Sequence, residues 1–243
     1  CICEFCGYEH HADIIETSGH DMCTKYVVEN EQLYLLTYCS NRCGLEEVKT
    51  KVNGTADVSN EMDLKTVLEN GFSARLTNNI TIYDGPIEIN AGEVTLDLNG
   101  MKLESNSLVT NINALGEMLT VCDVLIVRNE GTKLTITGDG ELVADNGKAD
   151  SVCVLSALDG AYVSIQNGTF HSTGCTTIYA RTNSVVDIWD GVFVADEEWN
   201  GVRYTLDILE SELASQTSAR IFVFGGVFMF SCRTVVVIVR FIV

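Results

Sequence analysis

Short stretches in which apolar and polar residues alternate recur along the second half of the chain. One runs Leu134-Thr-Ile-Thr-Gly-Asp-Gly-Glu-Leu142, and similar stretches begin at Val163, Val186 and Ile221. Alternate side chains of a strand share a face, so the apolar positions of each stretch line one side of a strand. A glycine-containing turn follows each strand, because glycine permits a sharp bend at low steric cost.

The recurrence predicts stacked units rather than isolated strands. One unit cannot bury its own apolar face, whereas stacked units share a continuous core. The turn glycines, which are separated by 28, 23 and 35 residues, are Gly140, Gly168, Gly191 and Gly226. The shortest spacing is about one coil of a parallel β-solenoid. Ordinary hairpins in a β-sandwich or meander are the alternative, because Asn-Gly between alternating runs also favours a hairpin.

A short amphipathic helix is predicted over residues 63–71, immediately before the predicted solenoid. Asp63 lies near the expected N-cap and Gly71 at the expected stop. The apolar stripe of this helix consists of Leu64, Val67 and Leu68. The polar stretch before the helix, residues 51–62, is interpreted as a linker.

Two sequence motifs carry a resemblance to a known class of domain. Leu96-Asp-Leu-Asn-Gly100 and Ile165-Gln-Asn-Gly-Thr-Phe170 resemble the rung ends of right-handed parallel β-helix (pectate-lyase-like) domains in phage fibres or spikes and bacterial surface proteins. The resemblance covers residues 63 to about 230. It implies an all-β, right-handed parallel β-helix with a short N-terminal capping helix. It implies no particular activity, since this fold hosts lyases, hydrolases and adhesins alike.

The cysteines are concentrated near the start of the sequence. Six of the ten lie in the first 43 residues, including the pairs Cys3/Cys6 and Cys39/Cys43. Two pairs of thiolates make a closed tetrahedral site, which suits structural Zn²⁺. We therefore predict that Cys3, Cys6, Cys39 and Cys43 bind zinc.

A second resemblance supports the zinc prediction, and two other interpretations of the cysteines compete with it. Tyr38-Cys39-Ser-Asn-Arg-Cys43 is similar to the FCS-type treble-clef zinc finger, in which a knuckle and a helix start share the metal. This likeness covers about residues 1–50. His10, His11, His20 or Cys23 could replace a ligand. Disulfides of a secreted protein or free thiols are the other interpretations of the cluster. Cys153 and Cys175 are interpreted separately, as buried small hydrophobes.

Composition and charge exclude some classes of function. The chain has 243 residues, 46% of them hydrophobic and 20% charged, which is typical of a globular protein. Its net charge of −19 repels phosphate backbones, so we expect no nucleic-acid binding. No apolar run reaches the roughly 18 residues of a membrane-spanning helix, and no signal peptide is visible.

One outward-facing aromatic is a candidate ligand-binding residue. Trp189, with nearby Trp199 and the outward carboxylate of Asp187, could form an aromatic platform for sugar rings. The alternative is that Trp189 packs under a loop or at a subunit contact. No catalytic set emerges, because 34 acidic residues make chance carboxylate pairs common. His171 is the only histidine after residue 20, so no Ser-His-Asp arrangement can be argued.

The last residues of the sequence predict self-association. Residues 234–243 are apolar on both faces of a strand, and such an edge is a template for pairing. We expect a homo-oligomer, a trimer among the options, or a larger assembly or continuation of the chain.

These observations combine into one functional expectation. We predict a zinc-binding module at 1–50, a linker at 51–62 and a parallel β-helix at 63–243. The expected function is a non-enzymatic structural or attachment protein of a virion or a bacterial cell surface that binds a glycan. A polysaccharide lyase or glycoside hydrolase is the first alternative, and a secreted disulfide-bonded adhesin is the second.

Overall fold

A computed structural model describes residues 20–41, 45–112, 118–174, 176–196, 204–209 and 219–230. These residues contain one helix and twenty-two strands. The first elements are β1 (Met22–Glu29), β2 (Gln32–Cys39), β3 (Val48–Lys51), β4 (Ala56–Val58), α1 (Glu61–Glu69), β5 (Ala74–Leu76), β6 (Ile80–Ile82) and β7 (Ile87–Ile89). The next are β8 (Glu93–Asp97), β9 (Lys102–Ser105), β10 (Val109–Ile112), β11 (Met118–Arg128), β12 (Lys133–Thr137), β13 (Glu141–Ala144) and β14 (Ser151–Leu158). The last are β15 (Tyr162–Ile165), β16 (Thr169–Ser172), β17 (Thr176–Arg181), β18 (Val185–Ile188), β19 (Val192–Ala195), β20 (Tyr204–Leu209), β21 (Arg220–Val223) and β22 (Val227–Phe230).

The first two strands form a hairpin that the sequence analysis did not predict. β1 and β2 pair antiparallel, from Met22 opposite Cys39 to Glu29 opposite Gln32. Asn30 and Glu31, in the turn, have φ of 49° and 59°, the two positive values that a tight hairpin turn requires. β3 pairs antiparallel with β2 and completes a three-stranded sheet.

This hairpin overturns the resemblance to a treble-clef zinc finger. Cys39 ends strand β2 instead of beginning a helix. Beyond Cys43, the described residues from Leu45 onward lead into β3. The treble-clef prediction is therefore wrong over this segment, because the Leu- and Tyr-rich run before Cys39 favours a strand over a helix start.

The helix forms where the apolar stripe and the cap residues predicted it. α1 begins two residues earlier than expected, and its N-cap is Asn60, whose side chain accepts from the Asp63 N–H at 2.9 Å. The predicted stripe of Leu64, Val67 and Leu68 is fully buried, which confirms the amphipathic assignment. Asp63 Oδ1 accepts from the Tyr26 N–H at 2.9 Å, so this residue joins the hairpin to the helix.

Three larger sheets hold the remaining strands, and the chain visits them in turn. A seven-stranded parallel sheet has the order β21-β18-β15-β12-β8-β5-β4. A six-stranded parallel sheet has the order β22-β19-β16-β13-β9-β6. The third sheet has the order β10-β11-β14-β17-β20, with β7 also paired to β11. Strand β4 lies at one edge of the seven-stranded sheet. It falls within residues 51–62, the stretch interpreted as a linker.

The recurring sequence units are parallel neighbours in these sheets. Val163 lies beside Leu134 on one side and Val186 on the other, and Ile221 follows Val186. Parallel register places like side chains on top of one another, so the apolar positions form continuous interior columns.

The prediction of a right-handed parallel β-helix is nevertheless wrong for this chain. The described residues show several separate, mainly parallel sheets and one helix, and they do not show a closed solenoid. Two regions depart from a uniform coil: the antiparallel N-terminal sheet, and β10, which pairs antiparallel with β11. A repeated strand–glycine unit specifies parallel register between units, but it does not specify how the sheets close around an axis.

The core contains a ladder of stacked phenylalanines. Phe170, Phe193 and Phe228 occupy equivalent positions on β16, β19 and β22. Neighbouring ring centroids are 4.9 Å apart with planes 13° apart, and all three side chains are buried. Cys153 is also buried, as interpreted from the sequence, with 4% of its surface exposed. Cys175 lies outside the described residues.

Candidate functional site

The outer face of the seven-stranded sheet presents three rows of side chains that run across the strands. The buried positions on the same strands alternate with these rows, so the rows point away from the core. The first row is Glu93, Lys133, Tyr162, Val185 and Arg220. The second row is Thr95, Thr135, Ser164, Asp187 and Phe222. The third row is Asp97, Thr137, Gln166, Trp189 and Phe224.

The chemistry of this face changes from polar at β8 and β12 to aromatic at β18 and β21. Trp189, Phe222 and Phe224 are 48%, 43% and 44% exposed, and we call these three residues the aromatic patch. The rings of Trp189 and Phe224 stack with centroids 4.4 Å apart and planes 15° apart. Contiguous exposed apolar surface rimmed by polar groups is typical of an interaction site.

The rim of the aromatic patch supplies oriented polar groups. The Tyr162 hydroxyl donates to Asp187 Oδ2 at 2.6 Å. This hydrogen bond, together with partial burial, raises the pKa of Tyr162. No described residue bonds the second carboxylate oxygen of Asp187, Oδ1, which leaves it available as an acceptor. At the end of β15, the strand next to β18, the Gln166 amide donates to Ser164 Oγ, two residues earlier in the chain, at 2.6 Å.

A cation already lies over one ring of the patch. The Arg220 guanidinium carbon is 5.9 Å from the centroid of the Phe222 ring. Such a distance is within the range in which a ring face attracts a positive charge. The patch therefore combines exposed ring area, a carboxylate and one arginine.

The structure brings two of the three predicted binding residues together. Trp189 and Asp187 lie on the same outer face, two positions apart at the end of β18. Trp199 lies outside the described residues, so the predicted pairing of the two tryptophans stays a prediction. Phe222 and Phe224 were missed, although the alternation of Ile221-Phe-Val-Phe places both on the polar side of the strand.

A second group of polar residues lies on the outer side of the third sheet. Asp123 alternates on β11 with Cys122 and Val124, which are fully buried in the core, so its side chain faces the opposite way. Ser156 Oγ donates to Asp123 Oδ2 at 3.4 Å. Burial raises the pKa of Asp123 to about 7, an effect that the Ser156 hydrogen bond opposes.

Neighbouring strands extend this group into a row. Tyr179 pairs with Ser156 on one side and with Asp207 on the other. Burial raises the pKa of Asp207, and burial foremost raises that of Tyr179 as well. We call Asp123, Ser156, Tyr179 and Asp207 the acid row. Sequence reasoning missed it, although a lone aspartate in the apolar stretch Val121-Cys-Asp-Val-Leu is a usable signal.

The predicted zinc site falls mostly outside the described residues. Cys3, Cys6 and Cys43 are not described, and Cys39 is a buried residue at the end of β2. Within the described part of the chain, no three His, Cys, Asp or Glu side chains gather as metal ligands. Zinc binding therefore stays a prediction from the sequence.

Comparison with known proteins does not identify this chain. No family model, no curated protein and no solved structure matches it. The β-helix resemblance that suggested a virion component is corrected above, and no matching family or relative supports either that expectation or the alternative of a secreted adhesin. Among the described residues, no helix has the length and apolar character needed to cross a membrane.

Proposed function

We propose that this chain is a non-enzymatic structural or attachment protein that binds a carbohydrate through the aromatic patch. The observation that carries the proposal is the exposure of Trp189, Phe222 and Phe224 at one end of an otherwise polar sheet face. Water contact with so much ring area is unfavourable, so a ligand that covers it gains binding free energy.

The patch has the two components that a sugar site needs. Sugar rings present C–H groups on one face and hydroxyl groups at their edges, so they fit aromatic surface flanked by hydrogen-bonding groups. Asp187 and Gln166 supply such groups in fixed positions beside the rings. The Trp189–Phe224 stack holds the rings in place before binding, which reduces the entropy lost on association.

The patch is better suited to binding than to cleavage. Hydrolysis of a glycosidic bond needs two carboxyl groups on opposite sides of the bond. Among the described residues of the patch and its rim, Asp187 is the carboxylate that faces the rings. Asp190, the residue after Trp189, has its Oδ1 engaged by the Gly191 N–H at 2.8 Å in the turn.

Assembly would strengthen attachment through such a shallow site. The apolar residues 234–243 lie outside the described residues, and the self-association predicted from them is part of the proposal. Several patches on one oligomer would bind a polymeric glycan with greater avidity than one patch alone.

The direct test is binding to a panel of immobilised glycans, followed by titration calorimetry on the best ligand. Trp189→Ala should weaken binding by at least tenfold, because a truncated aromatic anchor costs more than about 1.4 kcal/mol. Lys133→Ala, at the polar end of the same face, is the matched control and should bind like the parent chain. Equal binding by the Trp189→Ala variant would contradict the proposal.

A polysaccharide-cleaving enzyme is the second candidate, and the buried carboxyl group of Asp123 favours it. A carboxyl group whose pKa is about 7 can donate a proton at neutral pH, as the general acid of a glycosidase must. Release of reducing ends that disappears in Asp123→Asn but persists in Trp189→Ala would establish this activity, and absence of product from all glycans that bind would exclude it.

A further inference from the structure

We propose that the carbohydrate bound by the aromatic patch carries free amino groups, and that Asp187 receives the ammonium. This inference rests on the proposed function, since it names the class of sugar that the same site prefers. A hexosamine chain without acetyl groups fits the chemistry of the patch better than a neutral or an acidic chain.

The Asp187 carboxylate lies where it can receive an ammonium group. Its side chain lies in register with Phe222 and two residues before Trp189, so the carboxylate borders exposed ring area on both sides. Oδ2 is held at 2.6 Å by the Tyr162 hydroxyl, while no described residue bonds Oδ1. A carboxylate fixed beside aromatic faces is the arrangement that binds an ammonium group, because both components attract positive charge.

The rings of the aromatic patch also attract positive charge. Phe222 already interacts with the guanidinium of Arg220 at 5.9 Å, which places a positive charge over a ring of this patch. Trp189 offers a larger π-system, and tryptophan is the aromatic that attracts cations most strongly. Nearly half of its surface is exposed to an incoming group.

The charge of the whole molecule favours a cationic ligand as well. The net charge of −19 favours the approach of cationic ligands and opposes that of acidic ones. Lys133, a cation on the same outer face, is paired with Glu93 at 2.6 Å and lies three strands from β21. Arg220 is therefore the cation nearest the patch among the described residues of this face, and it lies over Phe222.

Three oligosaccharides of equal length separate the alternatives. β-1,4-linked chains of glucosamine, N-acetylglucosamine and glucose share one backbone and differ only at carbon 2. Titration calorimetry at low ionic strength and slightly acid pH should show about tenfold tighter binding of the glucosamine chain, since one partly exposed ion pair with a cation–π contact is worth about 1–2 kcal/mol. The preference should shrink as salt is added.

Charge-removing variants assign the preference to one residue. Asp187→Asn keeps the shape of the side chain and should abolish the discrimination among the three chains. Glu130→Gln removes the same charge from an exposed turn and should leave the discrimination unchanged. Circular dichroism spectra that match the parent chain would establish that both variants are folded.

The outcomes keep this inference apart from the proposed function. Equal binding of the three chains, or an equal effect of Asp187→Asn and Glu130→Gln, would overturn the amino-sugar inference while carbohydrate binding stands. If no chain binds and no other glycan responds to Trp189→Ala, the proposed function itself fails.

Discussion

Two aromatic ladders in this molecule have nearly the same geometry and opposite surroundings. In the interior, Phe170, Phe193 and Phe228 stack with centroids 4.9 Å apart and planes 13° apart. On the outer face, Trp189 and Phe224 stack at 4.4 Å and 15°. The first ladder is buried, whereas the second is nearly half exposed. Parallel register produces both stacks, so stacking alone does not reveal a role, and exposure separates a structural ladder from a candidate binding site.

The difference has an energetic basis. Burying an aromatic side chain removes a large apolar area from water, at roughly 25 cal/mol per Å². The interior ladder gains this free energy on folding, and the outer ladder keeps much of its area in contact with water. The outer rings therefore stabilise the fold less, and they retain free energy that a ligand can use.

Truncating the same residue type in each ladder tests the comparison most strongly. Phe193→Ala should lower the free energy of unfolding by about 3–5 kcal/mol, because it leaves a cavity in the core. Phe224→Ala should cost about 1 kcal/mol, since it loses one partly exposed stacking contact. Urea unfolding followed by circular dichroism measures both values. Similar losses in the two variants would show that exposure does not distinguish the ladders.

Asp123 tests the same comparison with a polar residue. Its side chain lies on the outer side of a sheet, but the side chain is poorly solvated. Its pKa is about 7 in the folded chain and about 3.8 when exposed. Because the folded value is the higher one, the folded chain binds the proton more tightly. The stabilising contribution is complete below about pH 4 and is lost as the pH rises through 7.

Asp123→Asn removes this titration without changing the shape of the side chain. At pH 8 the variant should be more stable than the parent chain by on the order of 2–4 kcal/mol, since one pKa unit corresponds to about 1.4 kcal/mol. Near pH 4 the two chains should unfold at similar urea concentrations. A parent chain whose stability does not fall between pH 4 and pH 8 relative to the variant would show that Asp123 is well solvated.

The turns that hold the interior ladder in register should be the next most sensitive feature. Gly191 has a φ of +131°, and a Cβ added there would lie 2.9 Å from the Gly168 carbonyl oxygen and 3.2 Å from the Phe193 ring. Gly191→Ala should therefore cost about 1–3 kcal/mol of unfolding free energy.

Gly147→Ala is the matched control for this turn. Among the described residues, no atom beyond the two chain neighbours lies within 4 Å of the Cβ position at Gly147, so its substitution should change the stability by less than about 0.5 kcal/mol. Equal effects at the two glycines would show that the Gly191 turn does not hold the interior ladder in register.

The local features of the sequence predicted local structure well. The alternating stretches beginning at Val163 and Val186 form neighbouring parallel strands in register, and the stripe of helix α1 is buried. These features depend on short-range alternation and on parallel pairing of like units. The closure of the sheets depends on connections and bends elsewhere, for which the repeated unit carries no information, and there the β-helix prediction was wrong.

Prominent residue types also drew attention away from weaker signals. The cysteines near the start suggested a metal-bound module, and the alternating runs on both sides of Asn30, which form the hairpin, were overlooked. At the site, Trp189 and Asp187 were identified, but their partner Phe224 was not. That partnership arises between residues 35 positions apart, and only the observed register of β18 and β21 establishes it.

The smallest expected effect concerns the polar end of the same outer face. Lys133 Nζ lies 2.6 Å from Glu93 Oε1, but their side chains are 51% and 72% exposed. Solvent and salt screen such a pair, so Lys133→Ala should change the free energy of unfolding by less than about 0.5 kcal/mol and leave glycan binding intact. If this variant loses as much stability as Phe193→Ala, the outer rows support the fold as the core does. The exposed aromatics would then need no ligand to account for them.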